Sequence, residues 1–319
     1  MIIGYFLKFL RRLYTTVVDN KHVTKKTFSF VDLELASNLI YETLSKNNPC
    51  MIARVGANES GIISNYLGIK LNSSCKDFIA GKNPAWWWDK RIFKPFNKGA
   101  GFFPMKIELI EKYCELCLDD FKFLDILGVW SNQERAYIDK IEHVKKVNIS
   151  YLEPYFSKNP WSRILKDKKV LVIHPFAETI KKQYQVREKL FENALVLPKF
   201  DLKILKSVQS AAGNKTKFLT WFEALNFMKE EINKIDFDIA LIGCGAYGFN
   251  LAAHIKKIGK QSVHLGGSLQ VLFGIKGKRF ENPNQTNGMY LELFNDYWTR
   301  PSNEERPQFY SVMEDGCYW

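Results

Sequence analysis

The stretch from Asp236 to Phe280, DFDIALIGCGAYGFNLAAHIKKIGKQSVHLGGSLQVLFGIKGKRF, decides the fold class of this chain. Its first apolar run, Asp238 to Ile242, is typical of a buried strand, and the apolar spacing from Phe249 to Ile258 predicts a helix. The turn between them is GxGxxG, with Gly243, Gly245 and Gly248 as its glycines. Glycines permit backbone angles and close approaches that a side chain would block, and the amides and dipole of the following helix attract an anion. The stretch therefore predicts a strand–turn–helix unit that receives a phosphate.

A dinucleotide-binding fold is the first interpretation of this turn. That fold also has an acidic residue about twenty positions later, which hydrogen-bonds the ribose hydroxyls of the dinucleotide. Here His264 to Gly267 fill that position, and none of them is Asp or Glu. NAD is therefore disfavoured, whereas another phosphate-bearing ligand is not. A purely structural glycine turn is the competing interpretation. A ligand-binding turn is favoured over a structural one by the glycine pair Gly266 and Gly267 and by the basic residues Lys278 and Arg279.

The same alternation of strand, turn and helix recurs upstream of this stretch. Cys50 to Val55 predicts a strand, and the helix after it is expected to be capped by Asn58. Lys168 to Ile173 and Ala177 to Phe191 predict a second strand–helix pair, and a further strand is expected within Ala194 to Lys206. Repeated alternation predicts an α/β fold with a mainly parallel, Rossmann-like sheet and helices on both faces.

The chain divides into four predicted parts. Residues 1–26 form an amphipathic helix and connector, 27–160 an N-terminal α/β part with a long aromatic loop, 161–298 a C-terminal Rossmann-like part, and 299–319 a tail. The aromatic loop contains Trp86 to Trp88. This run is expected either to stack on sugar rings or bases or to plug the loop onto the core.

Residues 1–18 have polar and basic positions on one side of a helix and apolar positions on the other. Such a helix lies in an anionic membrane interface or docks on the body or a partner subunit. No segment is long and apolar enough to span a bilayer, and the start does not resemble a signal peptide. We therefore expect a cytoplasmic protein, which the first of these two alternatives would place in peripheral contact with the inner face of the membrane through residues 1–18.

Composition narrows the function classes. Of the 319 residues, 46 are Lys or Arg and 34 are Asp or Glu, so the net charge of +12 favours an anionic partner or solubility alone. The six cysteines show neither a disulfide framework nor a zinc spacing, which fits a reducing compartment. The sequence has no P-loop, GxSxG or HExxH, which removes support for an ordinary NTPase, serine hydrolase or zinc protease. Specific nucleic-acid binding has no signature either.

Candidate chemistry concentrates where predicted strands end, since ligands of such sheets bind at the carboxyl ends of the strands. Arg54 is suited to clamp a diphosphate, and Glu59 to ligate a cation or act as a base. An internal salt bridge between the two is the alternative. His174, at the end of another strand, is suited to act as a base or to hydrogen-bond a phosphate, or it is a packed, satisfied histidine.

Two separated regions carry a family likeness: ARVGANES near the start and IALIGCGAYGFNLAAHIKKIGKQSVHLGG near the end. They resemble the strand-end motif (arginine, an apolar residue, glycine, then Asp-x-Glu) and the closing strand, glycine turn, helix and strand of the bacterial GT-D-fold glycosyltransferases. The likeness covers part of the chain, because the middle third matches less clearly. It implies a GT-D-like fold and transfer of a sugar from a nucleotide sugar to a glycan, lipid-linked or protein acceptor in surface polysaccharide or glycoconjugate biosynthesis.

The resemblance assigns Arg54, Gly56 and Glu59 to the nucleotide sugar and a metal, and the glycine turn to the phosphates. With the reasoning above, the predicted nucleotide-sugar site is Arg54, Gly56, Asn58, Gly243, Gly245, Tyr247, Gly248, His264, Gly266, Gly267, Lys278 and Arg279. Glu59 and His174 are the predicted catalytic residues. The implied cofactor is Mn²⁺ or Mg²⁺ at Glu59, but Ala57 stands where the family's first metal-binding aspartate is expected. The alternatives are an inactive nucleotide- or glycan-binding accessory protein and a Rossmann-type methyltransferase or dehydrogenase.

Overall fold

The computed structural model describes residues 2–18, 32–71, 74–307, 310–312 and 316–319. Its strands are β1 Cys50–Arg54, β2 Ile126–Val129, β3 Lys145–Asn148, β4 Lys169–His174, β5 Asp201–Lys206, β6 Ile239–Ile242 and β7 Gln261–His264. Its α-helices are α1 Ile2–Val18, α2 Leu33–Ser45, α3 Ala57–Leu71, α4 Cys75–Ile79, α5 Phe93–Lys98, α6 Ile107–Asp120, α7 Ala177–Gln185, α8 Trp221–Asn233, α9 Tyr247–Lys257, α10 Leu269–Leu272, α11 Lys278–Glu281 and α12 Pro283–Thr286. Short 3₁₀ turns connect many of them.

These strands form one sheet in the order β3-β2-β1-β7-β6-β4-β5, and every neighbouring pair is parallel. The predicted α/β class with a Rossmann-like parallel sheet is confirmed. Strands from the predicted parts 27–160 and 161–298 share this sheet, since β1 pairs with β7 through Ile52 and Val263. The two parts are therefore halves of one sheet.

Helices cover both faces of the sheet, and strand residues alternate between two buried cores. In β4, Leu171 and Ile173 belong to the core that contains residues of α3, α6, α8 and α9. Val170 and Val172 belong to the core on the other face, with residues of α2, α7 and α10. A strand buried on both faces reads as a continuous apolar run, which is why these strands were recognisable in the sequence.

Some predicted boundaries are wrong. Helix α3 begins at Ala57, so Asn58 lies inside its first turn and does not cap it. The strand expected within residues 194–206 begins only at Asp201. Pro198 has no backbone N–H to donate to a neighbouring strand, and Val196 N–H instead closes a turn on Asn193. Helix α7 ends at Gln185 rather than Phe191, because a 3₁₀ turn follows it.

The amphipathic helix α1 lies against the aromatic loop. Lys8 forms an ion pair with Asp89, and the Arg11 guanidinium lies 4.9 Å from the centre of the Phe78 ring. Trp87 packs on Phe78 with ring centres 5.1 Å apart. The tryptophan run thus plugs the loop onto the body and onto α1, as one of the two interpretations predicted.

The opposite side of α1 is apolar and uncovered within the described residues. The exposed large side chains of α1 include Phe6, Phe9, Leu13 and Tyr14, whereas Tyr5, also exposed, lies beside Arg91 of the aromatic loop, 5.7 Å from its guanidinium to the ring centre. Among the helices described, none is long and apolar enough to cross a membrane.

The strand order reverses at β6 and β4, which are neighbours. The chain leaves β6 through α9 toward β7, whereas it leaves β4 through α7 toward β5, in the opposite direction. The two helices consequently lie on opposite faces of the sheet. Such a reversal opens a crevice at the carboxyl ends of the strands, where ligands of open parallel sheets bind.

Candidate ligand-binding site

One cavity opens at this edge, at the carboxyl ends of β1, β7, β6, β4 and β5. The predicted site residues that line it are Arg54, Gly56, Asn58, Glu59, His174, Gly243, Gly245, Tyr247, His264, Gly266, Gly267 and Arg279. Gly248 and Lys278 are not among its lining residues. The cavity volume is about 160 Å³, far above the ~15 Å³ that one water molecule requires. The fold thus brings the RVGANES and GCGAYG stretches to one cavity.

Arg54, the last residue of β1, is one of the two arginines among the described residues that line this cavity, with Arg279 as the other. The guanidinium carbon of Arg54 lies 5.6 Å from the ring centre of Trp130, an exposed residue directly after β2. Among the described residues its guanidinium forms neither a hydrogen bond nor an ion pair, so the alternative of a salt bridge with Glu59 is not observed there. A planar, half-buried guanidinium with its donors free is suited to bind a carboxylate or phosphate bidentately.

Glu59 lies in the first turn of α3, beside this arginine. Its carboxylate folds back over Gly56, so a Cβ at position 56 would displace the carboxylate. Burial raises the pKa of Glu59, while the charge of Arg54 and its own backbone N–H oppose the shift. A carboxylate with a raised pKa is a stronger base than an ordinary surface glutamate.

The glycine turn after β6 is tightly built. Gly245 has φ +58°, and a Cβ at Gly243 would lie 2.5 Å from the carbonyl oxygen of Gly266. Ala246 N–H donates to Ala100 O at 3.0 Å, which fixes the loop before α6 onto the turn. The expectation of free amides is therefore wrong at residue 246.

Other amides at the same edge remain open. Within the described part of the chain, the N–H groups of Cys244, Gly245 and Gly266 have no hydrogen-bond partner, and all three residues line the cavity. The amino-terminal end of α9 follows the first two directly. Unpaired amides beside a helix N-terminus and an arginine form a site for an anion.

His264, at the end of β7, has a positioning role. Its Nδ1–H donates to Arg54 O at 3.0 Å and so fixes the end of β1. Its Nε2 packs on Gly248, where a Cβ would collide with the ring. Gly248 is therefore required by packing. Burial, with a smaller effect of Arg54, lowers the pKa of His264 to about 3.

His174, at the end of β4, is also neutral. Its Nδ1 accepts the N–H of Phe176 at 3.0 Å, so the proton of the neutral ring sits on Nε2. Burial lowers the pKa of His174 to about 3. A base with so low a pKa takes protons poorly near neutral pH. The geometry favours a hydrogen-bond donor at this position over the predicted base.

The turn after β4 is closed by another part of the chain. Glu305, which is buried, accepts the N–H of Glu178 at 2.7 Å and that of Thr179 at 3.2 Å, in the first turn of α7. It also accepts the Thr179 hydroxyl. The amino-terminal end of α7 therefore already holds a carboxylate and is not available to a ligand.

Several residues of the cavity escaped sequence reasoning. Trp130 could have been found, because an aromatic residue directly follows a predicted strand. Tyr318 and Trp319 carry no such signal, since they lie in the segment predicted as a separate tail. In the structure the Tyr318 ring packs on Gly267, and its hydroxyl lies 3.1 Å from a guanidinium nitrogen of Arg279. Further lining residues outside the predicted set include Ser207 and Gln270.

The residues present do not make a divalent-cation site of the kind the resemblance implies. In the described ranges, no group of three or more His, Cys, Asp or Glu side chains is placed to hold a metal. Ala57 offers no side-chain oxygen, and the Asn58 amide packs toward Gly99, where a Cβ would lie 2.6 Å from its nitrogen. Glu59 alone is a poor site for Mn²⁺ or Mg²⁺, which prefer several oxygen ligands.

Comparison of the chain with family models, with curated proteins and with solved structures found no match. The chemistry of the cavity must therefore carry the functional argument.

Proposed function

We propose that the protein is a glycosyltransferase that binds a nucleotide sugar in this cavity and transfers the sugar to a hydroxyl of a glycan, lipid-linked or protein acceptor, in surface polysaccharide or glycoconjugate biosynthesis. One observation carries the proposal. The two stretches that resemble the family lie far apart in sequence, yet both line one cavity in which the Arg54 guanidinium faces the Trp130 ring and forms no hydrogen bond or ion pair with a described residue. A fold can bring such stretches together for packing alone, but packing does not require an unpaired guanidinium.

Stabilising the leaving group is the main catalytic task of such an enzyme. As the bond between the sugar's anomeric carbon and the diphosphate oxygen breaks, the electron pair leaves with the diphosphate. Arg54 and the open amides of Cys244, Gly245 and Gly266 would bind the developing charge. Preorganised donors of this kind typically contribute about 3 kcal/mol each in an enclosed site. No metal ion is required for this step in the mechanism proposed.

Activating the acceptor is the second task. Glu59 would take the proton from the acceptor hydroxyl as its oxygen bonds to the anomeric carbon, which leaves the carboxyl neutral and the diphosphate charged. Its raised pKa supports this role. His174, neutral and protonated at Nε2, would donate a hydrogen bond to a bound oxygen.

Substitution of Glu59 by Gln tests this assignment. Glu59→Gln keeps the shape of the side chain but removes the base, so turnover of nucleotide sugar should fall about 100-fold while its Kd changes less than threefold. Glu108→Gln is the matched control, because Glu108 also lies in the first turn of a helix but does not line the cavity. Unchanged turnover in Glu59→Gln would remove Glu59 from the mechanism.

A nucleotide- or glycan-binding accessory protein is the second candidate, and Ala57 at the family's aspartate position favours it. Calorimetry with a panel of nucleotide sugars, with and without Mn²⁺, combined with donor-hydrolysis assays, separates the two. Binding without turnover supports the accessory role. Absence of nucleotide binding under all conditions contradicts both, and binding of S-adenosylmethionine or NAD instead would indicate a Rossmann-type methyltransferase or dehydrogenase.

A lipid-linked acceptor fits the exposed side of α1. Phe6 and Phe9 are exposed by 59% and 57%, and the basic residue Arg12 is exposed beside them. Aromatic side chains next to basic ones suit an anionic membrane interface, consistent with a peripheral position at the cytoplasmic face. Cosedimentation with phosphatidylglycerol vesicles should therefore exceed that with phosphatidylcholine vesicles and be lost in Phe6→Ser/Phe9→Ser. Equal sedimentation of the variant would contradict the membrane contact.

A further inference from the structure

Three side-chain polar atoms of residues that line the cavity are buried without a hydrogen-bond partner among the described residues. They are Ser207 Oγ, Gln270 Oε1 and Trp319 Nε1. Their residues are only 4%, 0% and 6% exposed, respectively. Each unpartnered buried group costs about 1–3 kcal/mol. Three such groups around one cavity indicate that a ligand supplies the missing partners.

The three residues are connected to one another through neighbouring lining residues. The Ser207 N–H donates to His174 O at 3.3 Å. The Trp319 ring packs on Phe176, two residues after His174, with ring centres 5.7 Å apart. Gln270 Nε2 donates to the carbonyl of Tyr318, next to Trp319, at 3.3 Å. A continuous chain of contacts therefore connects the three groups.

The chemistry of these three groups is set by their hydrogen-bond roles. Gln270 Nε2 also donates to the carbonyls of Ile275 and Lys276, at 3.2 and 3.1 Å. All its partners are acceptors, so the amide orientation is fixed and Oε1 can only accept. Trp319 Nε1–H can only donate, and the Ser207 hydroxyl does both. The three groups therefore require a ligand group that donates and accepts.

A phosphate does not meet this requirement, because its oxygens accept and would face Gln270 Oε1 without a proton between them. Sugar hydroxyls meet it, since each donates one hydrogen bond and accepts others. We infer that Ser207, Gln270 and Trp319 form a subsite for the neutral, hydroxyl-bearing sugar of the ligand. The subsite deepens the function proposed above, on which its assignment to a nucleotide sugar rests, and it places the diphosphate at the Arg54 side.

Two conservative substitutions test the subsite. Ser207→Ala and Trp319→Phe each remove one unpartnered group and should weaken binding of UDP-glucose, UDP-galactose or UDP-N-acetylglucosamine, whichever binds, about five- to tenfold. Binding of UDP, which has no sugar beyond the diphosphate, should change less than twofold. The Tm of Ser207→Ala should not fall, because the change removes a buried hydroxyl that has no partner. If these residues had a purely structural role, the Tm would fall and the affinity for the nucleotide sugar would not change.

Trp221→Phe is the matched control. Trp221 Nε1 is also buried without a described partner, but Trp221 does not line the cavity. Its substitution should leave both UDP and nucleotide-sugar binding unchanged. If nucleotide sugars bind and neither Ser207→Ala nor Trp319→Phe weakens them, the subsite is overturned while the proposed function stands.

A second measurement separates the two proposals. The ¹H–¹⁵N signal of the Trp319 indole, identified by its loss in Trp319→Phe, should shift when free glucose, galactose or N-acetylglucosamine is added at millimolar concentration. A shift without any nucleotide binding would support the subsite and contradict the nucleotide part of the proposed function. If neither sugars nor nucleotide sugars shift the signal, the subsite is wrong.

Discussion

The turns after β1 and β4 look alike in sequence but differ in what occupies them. Each consists of a buried strand, a basic residue at its end and a helix, with Arg54 before α3 and His174 before α7. At α7 a distant carboxylate, Glu305, takes the first amides of the helix. At β1 the Arg54 guanidinium forms no hydrogen bond or ion pair with a described residue, and its turn opens to the cavity. A strand-end motif therefore identifies a potential anion site, and the rest of the chain decides whether it is filled.

The two strand-end residues, Arg54 and His174, also differ in charge. Arg54 keeps its charge because guanidinium groups stay protonated in proteins. His174 is buried and neutral, with a pKa of about 3. The two strand-end groups that line the cavity thus differ in charge, and Arg279, beside Tyr318, adds a second guanidinium to the lining.

Opening the closed turn should have the largest effect. Glu305→Ala leaves the Glu178 amide, the buried Thr179 amide and the Thr179 hydroxyl without their acceptor, so the free energy of unfolding should fall by about 3 kcal/mol. Urea denaturation of both proteins measures the difference. Glu304→Ala, an exposed neighbour, is the control and should leave stability unchanged. Equal stability of Glu305→Ala and the wild type would show that α7 does not depend on this carboxylate.

Removing the charge from the open turn should affect binding and not folding. Arg54→Gln should weaken UDP binding about 100-fold, or about 2.7 kcal/mol, because a bidentate, partly desolvated charge pair is lost. Arg54→Lys should lose less, about tenfold, since the charge remains without the planar fork. Calorimetry gives Kd and thermal unfolding gives Tm.

Arg91→Gln, an exposed arginine away from the cavity, is the control for this pair. A large fall in Tm with unchanged Kd for UDP in Arg54→Gln would mean that Arg54 stabilises the fold and does not bind the ligand.

The neutral histidine predicts a specific pH dependence. Its pKa is about 6.5 when unfolded and about 3 when folded, so between these values the unfolded chain binds the proton. Stability from His174 is complete above pH 6.5 and decreases on acidification, by about 2 kcal/mol at pH 5. His174→Asn lacks this titration, so the stability difference between wild type and variant should shrink by that amount from pH 7.5 to 5.

The stability of the wild type must be compared with that of His174→Asn at each pH, because other buried groups titrate in both proteins. Burial raises the pKa of Glu134 to about 7, and this acid contributes in the opposite direction. A stability difference between wild type and His174→Asn that is independent of pH would show that His174 is accessible to protons in the folded state.

Sequence reasoning recovered the parts of this molecule that depend on local patterns. Apolar runs such as Val170 to Ile173 are buried on both faces, and the glycines at 243 and 245 are demanded by close backbone approaches, so both leave a signal in the sequence. Contacts between distant segments leave none. Neither the closure of α7 by Glu305 nor the place of Trp319 in the cavity wall follows from any local spacing. The open and closed turns were therefore indistinguishable before the fold was known.

The smallest effect tests the departure from the family pattern at the open turn. Ala57 is exposed in the first turn of α3. Without metal, Ala57→Asp adds a negative charge beside the anion site and should weaken UDP binding about threefold, a modest change because the position faces solvent. With 1 mM Mn²⁺ the two carboxylates at 57 and 59 and the diphosphate supply oxygen ligands together, so the affinity should recover and exceed that of the wild type.

Ala57→Asn has the same shape without the charge, so its affinity for UDP should equal that of the wild type and should not change with Mn²⁺. Calorimetry of UDP binding to the wild type and the two variants measures these differences. If Mn²⁺ strengthens UDP binding to the wild type as much as to Ala57→Asp, position 57 does not decide whether binding depends on a metal. A cation would then be held by other oxygens of the open turn. In that case the leaving group would be stabilised jointly by Arg54 and a metal.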